Sequence, residues 1–307
     1  MTDTLRKYLL PDHSTRLQTV RLTQAWQTGL SHQHYPACVQ TLLGELVAAS
    51  VLLSANLKFE GSLVLQLQGD GPVALVVVEC TSALSIRATV TLRENHPVPE
   101  DGTLQSLLNA NGNGRFVVVL DPGRKAPGFQ PYQGVVPLEG NSVAAVLEAY
   151  MHSSEQLDTR LWLAADDHCV AGMLLQRLPD HGGHEAVGTP ADRQETWEHL
   201  CHLGATLKTA ELLELESTDI VHRLFWEEDL ISFDPEKVQW HCPCSRERVA
   251  SMLRNLGQQE INDILAEQGS VGITCNFCGK PYSFDAVDCA QLFAGGLSSP
   301  PESSALH

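Results

Sequence analysis

The chain has 307 residues, 43% apolar and only 6% aromatic, enough for about two domains at roughly 150 residues each. So few aromatics disfavour a surface that stacks bases or sugars. With 20 basic against 37 acidic residues the formal charge is −17, which favours solubility and repels nucleic acid and anionic membranes.

The opening MTDTLRKYLLPDH has no apolar run or small-residue cleavage site, so no export signal is expected and the chain is read as cytoplasmic. The stretch ACVQTLLGELVAASVLLSANL (37–57) is about long enough to span a bilayer. Gln40, Glu45 and Asn56 interrupt it, however, and Val39, Leu42, Leu43, Leu46, Val47, Leu53 and Leu57 recur at helical spacing. A buried amphipathic helix is expected, and no membrane.

Apolar runs on either side of Gly69-Asp70-Gly71-Pro72 predict a hairpin over 62–80. LSIRATVTL (84–92) puts Ile86, Ala88, Val90 and Leu92 on one face. RFVVVL (115–120), YQGVVPL (132–138) and TRLWLAA (159–165) read as further strands. Asn141 is the expected N-cap of a helix carrying Val143, Val146, Leu147 and Met151 on one stripe. Hairpin-linked strands with segregated helices predict an α+β fold with a largely antiparallel sheet. Gly112-Asn113-Gly114 precedes a strand and lacks a third glycine, so it is not a dinucleotide fingerprint.

DHGGHEAVGTPADRQ (180–194) marks a boundary or exposed loop. Beyond it, Trp197, Leu200 and Leu207 share helical spacing, and Ser217 is placed to cap a helix bearing Ile220, Val221, Leu224 and Phe225. This segment, about 192–235, is too short for a core of its own. Its order is expected to depend on a neighbour, the C-terminal module being the expected partner.

That module carries the strongest chemical signal. Cys242 and Cys244 are one residue apart, Cys275 and Cys278 two apart, with thirty residues between the pairs. Four soft ligands in two short-spaced pairs suit a single tetrahedral zinc ion, and they suit redox chemistry as well. Helices are expected over Arg246–Asn255, ending at Gly257, and Gln258–Gln268, ending at Gly269. Strands Val271–Thr274 and Pro281–Phe284 should flank a Cys275–Gly279 knuckle.

Four thiolates leave no open coordination position for catalysis. Deaminase, HExxH and GxSxG patterns are missing, so no enzyme is expected and no catalytic residue is assigned. His199, His202 and His241 are read as bystanders. Cys38, Cys80, Cys169, Cys201 and Cys289 are scattered, each a small buried apolar residue. Between 242 and 290 four basic residues face six acidic ones, the wrong balance for phosphate binding. Protein interaction or redox sensing remains.

C-x-C followed thirty residues later by C-x-x-C resembles the heat-shock protein 33 family. GELVAASVLLSANLKFEG (44–61), LQLQGDGP (65–72), YQGVVPLEG (132–140), SEQLDTRL (154–161), AGMLLQRLP (171–179) and CSRER (244–248) resemble its segments too. The resemblance implies an N-terminal α/β client-binding and dimerisation domain (1–180) and a metastable helical linker (181–235). It further implies a small four-cysteine zinc-binding redox switch (236–294) and a flexible tail (295–307). It implies a holdase, not an enzyme, inactive while reduced with one zinc on Cys242, Cys244, Cys275 and Cys278. Oxidation would form disulfides Cys242–Cys244 and Cys275–Cys278, release zinc, unfold switch and linker, and favour a homodimer that binds unfolding or oxidatively damaged clients. A constitutive zinc-ribbon adaptor and a thiol oxidoreductase stay open as alternatives.

Overall fold

The computed structural model describes residues 3–57, 59–122, 131–179 and 189–294. The expected loop at 180–194 lies largely outside these residues, and the expected tail at 295–307 wholly so. Two compact units divide the chain, one ending at His241 and the other beginning at Cys242.

The first unit opens with strands β1 (Thr4–Leu9) and β2 (Thr15–Leu22), then helices α1 (Gln24–Leu30) and α2 (Ala37–Ser54). A meander follows: β3 (Ser62–Gln68), β4 (Val73–Thr81), β5 (Ser85–Leu92), a short helix α3 (Leu104–Leu108), β6 (Arg115–Asp121) and β7 (Tyr132–Pro137). Next come α4 (Val143–Ser153), β8 (Thr159–Ala165) and β9 (Val170–Arg177). Three helices, α5 (Pro190–Gly204), α6 (Thr209–Glu214) and α7 (Ser217–Phe225), lead to two-residue strands β10 (Ile231–Ser232), β11 (Glu236–Lys237) and β12 (Gln239–Trp240).

The fold is α+β, as expected, but with two sheets. One runs β10-β1-β2-β9-β8, with β11 also on β1; the other runs β12-β5-β4-β3-β6-β7. Every pairing in them is antiparallel except β12 on β5. The hairpin over 62–80 forms in register from Ser62↔Thr81 to Gln68↔Leu75. The two glycine turns meet: the Asp70 carboxylate accepts the backbone N–H groups of Asn111 and Asn113 at 3.2 and 3.0 Å. The α4 N-cap is Ser142, not Asn141; its hydroxyl accepts the Ala145 N–H at 3.2 Å. Ser217 begins α7 instead of capping it, with Glu216 as the N-cap.

Helix α2 lies between the sheets and is buried almost all round, not along one stripe as an amphipathic helix would be. It is long and apolar enough to pass for a membrane span, yet 67% of it is buried inside this unit. At Gly44 any Cβ would come within 2.3 Å of the Ala165 methyl, so only glycine lets α2 sit this close to β8.

The second difference concerns the linker. Strand β9 is buried on both faces: Val170 and Leu174 join the α2 core, whereas Ala171, Met173 and Leu175 join a second core. That second core holds Trp197, Leu200, Leu207, Leu212, Ile220, Val221, Leu224 and Phe225. The helices of the 192–235 segment therefore bury their stripes on the outer face of the β1-β2-β9-β8 sheet, within the first unit, and not on the C-terminal module as expected. Arg21 of β2 reinforces the docking by donating to the Leu213 carbonyl at 2.6 Å, where a helix C-terminus favours a cation. Trp226, directly after α7, is 68% exposed.

One half-buried acid lies where α2 approaches α6. Glu45 shares a cavity lining with Leu207, Lys208 and Leu212, and it has no hydrogen-bond or ion-pair partner among the described residues. Burial pushes its carboxyl up to about 7. The folded protein then holds a proton that the unfolded chain releases near pH 4.5, so stability falls as pH rises from about 4.5 to 7. Glu45→Gln should remove this loss, worth about 3 kcal/mol at most. Urea titrations at pH 5 and 8 should show the variant gaining stability mainly at pH 8.

Candidate metal centre

The second unit contains α8 (Arg246–Leu256), α9 (Gln258–Gln268), β13 (Val271–Thr274), β14 (Pro281–Phe284) and α10 (Ala286–Ala294). Its two strands and α9 have the bounds the sequence predicts, and α8 runs one residue further. The core is small: Ala250, Leu253, Ile261, Val271, Tyr282, Phe284 and Cys289.

Two local structures present the four thiols. Cys242-Pro243-Cys244 leads into Ser245, whose hydroxyl caps α8 by accepting the Arg248 N–H at 3.3 Å. Cys244 thus sits just before a helix N-terminus, where the backbone favours negative charge. Cys275 and Cys278 lie in the turn between β13 and β14. There the Gly279 N–H donates to the Cys275 carbonyl at 2.8 Å, and the Cys275 N–H donates to the Lys280 carbonyl at 3.0 Å. Gly279 has φ +66°, which only glycine adopts without a Cβ penalty. The chain leaves Cys278 into a strand, not a helix as a thioredoxin-like dithiol would require.

The four sulfurs all lie within 4.8 Å of one another. Two contacts run between the pairs: Cys244–Cys278 at 3.3 Å and Cys242–Cys275 at 3.6 Å. A tetrahedral ion with metal–sulfur bonds near 2.3 Å needs sulfur–sulfur edges of roughly 3.8 Å. The donor set fits an ion of the zinc class. His241 is not in the cluster; its backbone N–H bonds to the Ile86 carbonyl at 3.0 Å.

Electrostatics agree with that fit. Burial raises the Cys244 thiol, but the Tyr282 hydroxyl, donating at 3.1 Å, and the other three thiols outweigh it and bring Cys244 down to about 7. Burial and hydrogen bonding to the neighbouring thiols push Cys278 up to about 12, and burial also raises Cys242. One thiolate forms readily, and its charge opposes the next. Four together require a cation.

The other five cysteines stay apart, and all nine are unbridged. Burial pushes Cys80 up to about 12 and Cys169 up to about 11, and it also raises Cys201 and Cys289. His199 faces Glu228 at 3.1 Å. Tyr282 is the site residue that sequence reasoning missed. Its position in β14, alternating inward with Phe284, was the available signal.

The family model for Hsp33 protein matches residues 3–285. This chain belongs to the Hsp33 family. It is 44% identical over 301 residues to the 33 kDa chaperonin of Methylobacillus flagellatus, covering 98% of this chain and 97% of that one. Against the 33 kDa chaperonin of Chromobacterium violaceum it is 48% identical over 292 residues, covering 95% and 94%. The crystal structure of the 33 kDa chaperonin (heat shock protein 33 homolog) of Thermotoga maritima superposes with a TM-score of 0.78 at 22% identity, covering 97% of this chain and all of that one. That likeness in fold extends over both units of this chain.

Tyr282→Phe removes the hydroxyl donor to Cys244. The metal-free variant should ionise its first thiol at higher pH, by about one unit or more. Ultraviolet thiolate absorbance against pH measures this, and an unchanged titration would exclude the hydroxyl as the cause.

Proposed function

We propose that this chain is a redox-regulated holdase of the cytoplasm, a chaperone and not an enzyme, which protects unfolding and oxidatively damaged proteins from aggregation. The observation that carries the redox part is the cluster of four sulfurs within 4.8 Å, in a unit whose apolar core is very small.

In the reduced chain Cys242, Cys244, Cys275 and Cys278 hold one zinc. When bound, the ion supplies charge that keeps all four sulfurs as thiolates and crosslinks the two halves of the unit, a contribution on the order of 10–16 kcal/mol in small domains. Two equivalents of a two-electron oxidant then remove four electrons in all, two from the thiolates of each pair, and one S–S bond forms per pair, Cys242–Cys244 and Cys275–Cys278. The sulfurs no longer serve as thiolate donors, so the metal is released. Each disulfide closes a loop of a few residues and constrains the chain weakly. One long-range crosslink is replaced by two local ones, and a unit of this size unfolds without its metal.

The linker follows through chain continuity. Cys242 is separated by one residue from β12, which pairs with β5 over two residues. Just before it, β10 and β11 hold β1 by two residues each. Fraying of these short edge pairings lets α5–α7 leave the sheet, exposing both sides of the second core: Trp197, Leu200 and Phe225 on the helices, Met173 and Leu175 on β9. Clients bind to surface of this kind, and the oxidised chain pairs as a homodimer.

Two outcomes are expected. Reduced protein should carry a single zinc with four sulfur neighbours by X-ray absorption, and Cys275→Ser should weaken zinc binding more than about tenfold in a chelator competition. Phe225→Ala empties a fully buried site in the linker docking face, at about 3–5 kcal/mol. It should make the reduced protein suppress client aggregation without oxidant, with faster amide exchange in 190–225. A variant that undocks by exchange yet protects no client would sink the linker part of the reading.

A further inference from the structure

A cavity of about 390 Å³ opens in the first unit near the C-terminal end of α2, between the two sheets. Its walls are apolar and include Leu53 of α2, Leu65 of β3, Val118 of β6, and Leu147 and Met151 of α4. This volume lies within the range of ordinary small-molecule sites, roughly 300–1,000 Å³. Among the described residues of the lining, Arg16 of β2 is the one basic side chain.

Arg16 is held by neutral groups. Its Nε and Nη2 donate to the Gln176 side-chain oxygen, the former at 2.8 Å, and Nη1 donates to the Asn56 oxygen at 2.7 Å. Both amides are fixed in turn: Gln176 donates to the Thr159 hydroxyl at 2.7 Å, and Asn56 donates to the Leu52 carbonyl at 3.1 Å. A guanidinium has five N–H donors, so two have no acceptor among the described residues. Nor does Arg16 form an ion pair there. Burial pushes the guanidinium down to about 10, which leaves it charged at neutral pH and short of a counter-ion. Glu155 also lines the cavity but is exposed, and it accepts the Tyr150 hydroxyl at 3.0 Å. A half-buried charge held only by neutral groups is favoured by an anion that meets it.

The geometry points to a binding site for a medium-chain aliphatic carboxylate, its chain in the apolar cavity and its head on the two free Arg16 donors. The carboxylate supplies the missing negative charge and matches the planar fork. The site lies in the first unit and involves none of the four clustered cysteines, so it stands apart from the redox reading.

Calorimetry on the reduced full-length chain with monomeric decanoate tests this, client-free. Decanoate should bind, each methylene removed toward hexanoate weakening it roughly four-fold. Decanol and decylamine should bind at least about tenfold more weakly. Arg16→Gln should bring decanoate to the level of decanol while leaving decanol unchanged, which also reports that the cavity is intact. Leu147→Trp, which fills the cavity, should abolish both. The proposal is overturned by no decanoate binding, by equal affinity for decanol, or by insensitivity to either substitution. Binding of an apolar peptide with a free C-terminus in place of decanoate would overturn it as well.

Discussion

Four sulfur atoms within 4.8 Å are unstable company without a cation between them. Each thiolate raises the cost of the next, as the opposite shifts of Cys244 and Cys278 display. The same crowding makes the cluster a strong metal site and a store of reducing electrons. A core limited to a handful of residues such as Leu253, Ile261 and Phe284 then ties the order of the C-terminal unit to the state of those sulfurs. The proposed redox dependence of the fold rests on this constraint.

The first unit obeys a different constraint. Strand β9 faces α2 with Val170 and Leu174 and faces α5–α7 with Met173 and Leu175. Period-two alternation thus serves two cores from one strand. The inner core, with α2 enclosed by two sheets, is extensive. The outer one depends on three helices, and the chain between α7 and the first cysteine pairs with the sheets through three two-residue strands and buries Val238 in the inner core. The helices α5–α7 therefore rest on a smaller core than α2 does.

Much of the local structure was legible in the sequence because it depends on near neighbours. The β3–β4 hairpin follows from its glycine turn, α9 from the glycines at either end, and the Cys275–Gly279 knuckle from a position where only glycine turns freely. Strands β1, β2 and β9 were less visible. AGMLLQR in β9 is a nearly continuous apolar run, since both faces are buried, and such a run shows no alternation. For the same reason α2 resembled an amphipathic helix or a membrane span until its surroundings were known.

The sequence by itself determined the chemistry: four thiols at metal-ligand spacing, a net charge of −17, and helical segments with apolar stripes. Thiol spacing and charge are local or summed properties, so they survive without coordinates. Only the tertiary structure decided where those stripes are buried, because any apolar surface of the right shape satisfies a stripe and the sequence does not say which one. It also decided that Tyr282 donates to Cys244 and that Arg16 lies beside an apolar cavity with no ion pair among the described residues. Both are contacts between residues far apart in the chain, brought together only when the strands pair and the helices pack.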